Sequence, residues 1–313
     1  MIYDPVALAP AISFHRLRDD AIWLEQLLDK SGIPLRADTE LAEAINLAKS
    51  LPELASSPPG FFNPRNLAAP LGLLYLSRAL QDAQHNQSFK NVCRLLPKLA
   101  SNSAVPAAQD SKQSNERDLV FELEIAAIMA SMGAIVTTAN EPDVSFSYDG
   151  STWDGSCKLI YSKKPVTLND RIEEGIAQLL RAPADYSLVF VGITNRVNHR
   201  KFMPLIESEG GAQFWGVFKN GTGAVKAMHQ TLRETTESIV RERDIRFLRA
   251  RDSAKFRGIV TILHAVVGLG SIATLLSATG FIPRAELFGE VVAGPEEILV
   301  KRLNDRMQEI FTG

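Results

Sequence analysis

The sequence predicts an α/β fold, with an αβββαβ unit following an all-helical N-terminal region. Three observations carry this expectation. Residues 1–100 repeat apolar side chains at helical spacing. Residues 116–194 alternate helical and strand-like segments. Around Asp149-Gly150, two segments of alternating polarity meet at a turn signal.

In the first hundred residues, Ile22 to Leu28, Leu41 to Leu51 and Leu71 to Leu80 show 3.6-type apolar spacing. Proline breaks fall at Pro58-Pro59, Pro64 and Pro70. Residues 101–115 (SNSAVPAAQDSKQSN) are small, polar and breaker-rich, and read as a linker. The predicted organisation is therefore a helical region over 1–100, a linker over 101–115 and an α/β domain over 116–313.

Glu116 to Met132 reads as a helix with Gly133 at its C′ position, and Ala134 to Thr138 as a short strand. Asp149-Gly150 suits a two-residue type I′ turn, whose central residues both need φ > 0. That turn fixes a register. Tyr148 faces Ser151, Ser147 faces Thr152, Phe146 faces Trp153, Ser145 faces Asp154, Val144 faces Gly155 and Asp143 faces Ser156. Sides alternate along a strand, so Val144, Phe146, Tyr148, Trp153, Cys157 and Leu159 share one face. Asp143, Ser145, Asp154, Ser156 and Lys158 share the other. The first is a core face. The second gathers carboxylates, hydroxyls and an ammonium, although an antiparallel pair can carry such a face simply as its solvated side.

Arg171 to Arg181 reads as a second helix, capped by Asn169 or Asp170, and Ser187 to Ile193 as a buried strand. Gln230 to Arg251 reads as a long helix. Gly258 to Pro283 contains no Asp, Glu, Lys or Arg, a length that could span a bilayer, but His264 and several Gly, Ser and Thr residues dilute it. It divides better into a strand, Gly258 to Val267, a Gly-rich turn and a short helix, Ser271 to Ser277, so no membrane span is expected.

Composition narrows the function classes. The chain is 45% hydrophobic, enough for a real core. A net charge of −2 excludes a globally basic nucleic-acid binder, so any such contact needs a local patch. Residues 241–257 supply one, with seven basic against three acidic positions. Arg243, Arg246 and Arg249 form a stripe at i, i+3 spacing that could meet phosphates, or be an ordinary salt-bridged helix face. Cys93 and Cys157 form neither a metal-type spacing nor a disulfide framework and fit a reducing cytosol. Met1 to Pro10 lacks a signal-peptide pattern, and the five histidines show no ligand spacing.

From Glu116 to Thr194 the chain resembles the PD-(D/E)xK nuclease superfamily. The residues that carry the resemblance are Glu122 in FELEIAAIMASMG, the pair Pro142-Asp143, the triplet Ser156-Cys157-Lys158 and Gln178 in IAQLL. The resemblance implies a restriction-endonuclease-like core. It also implies Mg²⁺ or Mn²⁺ held by Glu122 and Asp143, with Lys158 orienting or deprotonating the attacking water and Gln178 beside it. Cleaving a phosphodiester needs a hard cation on a phosphate oxygen, which is why carboxylates belong in such a site. The sequence departs from the pattern at Ser156, where the superfamily has Asp or Glu. The missing charge could come from Glu174, which shares a helix face with Gln178, or from Glu173 or Asp154. The expected activity is that of a cytosolic, Mg²⁺-dependent endonuclease acting on DNA. The alternative is a degenerate module that binds nucleic acid or a protein without cutting. The N-terminal helices are candidates for contacting a protein partner, and a homodimer is compatible with this reading.

Overall fold

The computed structural model describes residues 13–55, 68–100, 115–137, 142–161, 164–197, 202, 205–207, 213–215, 221–241, 253–269, 272–289 and 294–312. Helices α1 (Phe14–Lys30), α2 (Glu40–Ala55), α3 (Ala68–Ala83) and α4 (Phe89–Cys93), with a 3₁₀ turn at Leu96–Ala100, precede α5 (Asn115–Ser131). Then come β1 (Ile135–Thr137), β2 (Val144–Tyr148), β3 (Ser151–Leu159), α6 (Pro165–Leu179) and β4 (Tyr186–Gly192). A small ribbon of β5 (Leu205–Glu207) and β6 (Gln213–Trp215) leads to α7 (Gly221–Arg241), β7 (Phe256–Leu269), β8 (Ile272–Pro283), α8 (Arg284–Phe288) and α9 (Pro295–Thr312). The protein is a mixed α/β structure, and α5 to β4 run in the expected αβββαβ order.

The main sheet has the order β1-β2-β3-β4-β7-β8. β3, β4 and β7 are parallel, and the flanking pairs are antiparallel. The β2–β3 register is the one the Asp149-Gly150 turn demands, from Tyr148 opposite Ser151 to Val144 opposite Gly155. Asp149 at φ 48° and Gly150 at φ 76° occupy the left-handed region that a type I′ turn requires.

Alternation along the strands separates two apolar clusters. Val144, Phe146, Trp153, Cys157, Leu159, Leu188 and Phe190 face one side, in a cluster continuous with α1, α2, α3, α5 and α9. Val189, Val191, Ile259 and Leu263 face the other, against α6 and α7. α6 presents Leu168, Ile172, Ile176 and Leu179, one stripe of a 3.6-residue helix. α5 differs: every residue from Val120 to Ala130 is buried, so its Glu122 and Glu124 require buried partners. Side chains pair some backbone groups on both sheet edges. On β1, the Val136 N–H donates to Ser88 Oγ (2.9 Å) and Asn91 Nδ2 donates to the Val136 carbonyl (2.9 Å). On β8, the Thr279 N–H donates to Asn304 Oδ1 (3.0 Å). Pairing these groups interrupts the row of open donors and acceptors that would template strand addition.

The structure corrects three local expectations. Residues 272–277 belong to strand β8 rather than to a helix, because they pair along β7 from Leu269 opposite Ile272 to Gly258 opposite Pro283. The second helix starts at Pro165 with Lys164 as its N-cap, so Asn169 and Asp170 lie inside it. Proline fits a first helical turn because the N–H it lacks would be unpaired there anyway. The long helix begins at Gly221, nine residues before Gln230, and is described as far as Arg241. No helix among the described residues is long and apolar enough to cross a membrane.

Candidate functional site

The candidate site lies where the start of β2, the second half of β3 and the last turns of α6 converge. β3 is an interior strand, and Lys158 on it is only 5% exposed. An ammonium buried there needs an anion. The hairpin register supplies one, because Asp143 immediately precedes β2 and lies across from Ser156. The Cys157 N–H donates to Asp143 Oδ2 at 2.7 Å and the Ser156 hydroxyl lies 3.1 Å from the same oxygen. Lys158 Nζ is 3.7 Å from it.

Gln178 of α6 locks this group together. Its Oε1 accepts from Lys158 Nζ (3.1 Å) and lies 3.0 Å from Ser156 Oγ, while its Nε2 points to Asp143 Oδ1 (3.4 Å). The amide thus presents oxygen to the cation and nitrogen to the anion. The single Ser156 proton serves either Asp143 or Gln178, not both at once. The helix comes this close because residue 175 is glycine: a Cβ there would sit 3.1 Å from Ser156 Oγ and 3.3 Å from Val189 Cγ1.

Two further acids approach from different directions. Glu174 Oε1 is 3.8 Å from Lys158 Nζ, but its side chain is half exposed and its Oε2 is bound by Arg171 at 2.8 Å. Glu122, on α5, is ion-paired with Lys98 of the 3₁₀ turn. Burial pushes the Glu122 carboxyl above its ordinary range, the Lys98 hydrogen bond and charge pull it back, the charge of Asp143 raises it and that of Lys158 lowers it. Glu122 therefore belongs to the same electrostatic group as Asp143 and Lys158.

Of the residues expected from the sequence, Asp143, Lys158, Gln178 and Glu174 come together directly, and Glu122 joins through its charge. Glu173 of α6 is partly buried, and Asp154 serves the scaffold, accepting from Ser145 Oγ (2.8 Å) and the Ala184 N–H (3.1 Å). Arg243, Arg246 and Arg249 lie outside the described residues. Two members escaped the sequence reading. Gly175 left a faint signal, a glycine inside an amphipathic helix. Lys98 left none, since a lysine in KLA becomes a site residue only through tertiary packing.

The donor set can be tested against a divalent cation. Among the described residues, no three acidic, histidine or cysteine side chains converge as a metal-binding group. Glu122 and Asp143 interact through their charges, and Asp143 Oδ1 receives the long contact from Gln178 Nε2. Carboxylate oxygens suit a hard cation, and Mg²⁺ is commonly bound by one or two carboxylates, with water and substrate phosphate filling its shell. The residues thus fit a lean two-carboxylate site. Comparison with known proteins adds no relative, since no family model, curated protein or solved structure matches the chain.

Proposed function

We propose that this protein is a divalent-metal-dependent endonuclease acting on DNA, built on a restriction-endonuclease-like core. The observation that carries the proposal is the buried Lys158 ammonium, set between Asp143 and Gln178 on the sheet face it shares with Ser156. Glu122 and Asp143 would hold Mg²⁺ or Mn²⁺, with Glu174 as a more distant third acid. When bound, the metal would polarise a phosphate oxygen and acidify water. Lys158 orients the attacking water and balances negative charge that grows on the phosphate. Gln178 keeps that ammonium aimed, and Ser156, in the place of an acid, fixes Asp143 by a hydrogen bond. The free cysteines Cys93 and Cys157 are compatible with a cytosolic protein.

The test is cleavage of supercoiled plasmid in Mg²⁺ or Mn²⁺. Nicking or linearisation by the natural chain, abolished in Asp143→Ala and in Lys158→Ala, is the expected result. A second reading is a non-catalytic binding module on the same fold. It is favoured by the Lys98–Glu122 pair and by Ser156, which together leave fewer free anionic ligands. DNA binding without cleavage, indifferent to chelator, would establish it in place of the first.

A further inference from the structure

We infer that Lys98 is a resident counter-cation of this site: its ammonium balances Glu122 while no metal is bound, and must withdraw before Glu122 and Asp143 can share a divalent cation. The inference rests on the two-carboxylate reading above.

The argument starts from charge. Glu122 and Asp143 bring two negative charges into a mostly buried region, and Lys98 and Lys158 bring two positive ones. These four charges sum to zero, and the more distant Glu174 is itself balanced by Arg171. Adding a divalent cation with both ammonium groups in place would leave two uncompensated positive charges at low exposure, which is strongly unfavourable. One lysine has to leave. Lys158 cannot leave readily, because its side chain is 7% exposed, sits on an interior strand and donates to Gln178. The Lys98 side chain is 30% exposed, against 9% for Glu122, and it stems from a short 3₁₀ turn. Its long flexible stem lets the ammonium swing to water while the backbone stays put. The helical N-terminal region thereby supplies part of the site, and anything that shifts the Leu96–Ala100 turn would alter metal affinity without touching the carboxylates.

Calorimetric titration of Mn²⁺ into the full chain, without DNA, tests this. Lys98→Met should bind Mn²⁺ about three- to tenfold more tightly than the natural chain, the range expected when one partly exposed ionic competitor is removed. Lys98→Arg should stay near the natural affinity, and Glu122→Gln and Asp143→Asn should lose binding. In chelator, Lys98→Met should melt below the natural chain, with Mn²⁺ narrowing the gap. Should Lys98→Met fail to fold, Lys98→Gln carries the same expectation. Unchanged or weaker binding in Lys98→Met and Lys98→Gln, with loss in Glu122→Gln, would overturn the counter-cation role and leave the metal reading standing. No Mn²⁺ binding by any of these chains would remove both.

Discussion

Lys158 shows how one buried charge organises its surroundings. Its energetics are asymmetric with those of Asp143. Removing Asp143 leaves the ammonium at 5% exposure with Gln178 and the half-exposed Glu174, which is already drawn to Arg171. Removing Lys158 leaves Asp143 with the Cys157 N–H and the Ser156 hydroxyl. Breaking a buried pair costs most when the stranded charge lacks other partners. Asp143→Asn is therefore expected to lower stability by about 3 kcal/mol and Lys158→Met by roughly half of that. The double variant should recover much of the loss, because an apolar side chain then replaces the charge. Urea unfolding of the four proteins measures the coupling. Strict additivity would mean that the 3.7 Å pair is incidental to the fold.

Helix α6 turns that pair into a site, and Gly175 sets its distance. Alanine at 175 should gain about 1 kcal/mol in helix propensity. Its Cβ, however, would press on Ser156 Oγ and Val189 Cγ1 by a few tenths of an ångström. The two effects oppose each other, so the urea midpoint should hardly move. The geometry should suffer more, since Gln178 lies one turn further along and its contacts at 3.0–3.1 Å stretch. Gly175→Ala is expected to lower the plasmid-cleavage rate about tenfold at near-constant stability. Equal rates would mean that Gln178 does not position Lys158. The same elements show what a sequence can disclose. The hairpin register was readable because one turn type with φ > 0 at both positions admits one pairing, and that pairing brings Asp143 to Lys158. Strand β8 was not, because a mixture of Leu, Ala, Ser and Thr suits a helix or a strand, and only pairing with β7 decides between them. The start of α6 was signalled by Pro165, a cue weaker on paper than the Asn169-Asp170 pair. Lys98 meets Glu122, and His264 meets Glu124 at 2.7 Å, only through helix-on-sheet packing, which leaves no periodic trace along the chain.

The N-terminal helices share one continuous apolar cluster with α5, α9 and a face of the sheet, so a polar clamp among them bears on the stability of the entire protein. Asp20 of α1 forms that clamp. It accepts from Arg78 Nε at 3.1 Å and Gln81 Nε2 at 2.7 Å, both on α3, while Arg78 also donates to the Ile310 carbonyl of α9 at 3.1 Å. Two effects compete for its proton. Burial pushes the carboxyl from 3.8 up to about 6, against the hydrogen bond from Gln81 and the charge of Arg16. Arg78, 3.1 Å away, also favours the ionised form, against the desolvation of a carboxyl that is 6% exposed. The sign follows from proton counting. Near pH 4 and below, the native chain keeps this proton at little cost. Between about 4 and 6, the unfolded chain has released it while the native chain still binds it. Stability contributed by Asp20 is thus greatest at acid pH and falls as pH rises through about 6, by on the order of 2–3 kcal/mol. Burial also raises Asp82, Glu122 and Glu296, which reinforces the trend, whereas Asp38, Asp185 and Glu309 are lowered and act in the opposite sense. Asp20→Asn cannot ionise and should flatten the profile. Its urea midpoint should match or trail that of the natural chain at pH 4, then gain on it steadily towards pH 7. If Arg78 instead dominated, the carboxyl would be ionised in both states over most of this interval and the gap would stay nearly constant, so the slope between pH 4 and 7 decides which force governs the clamp.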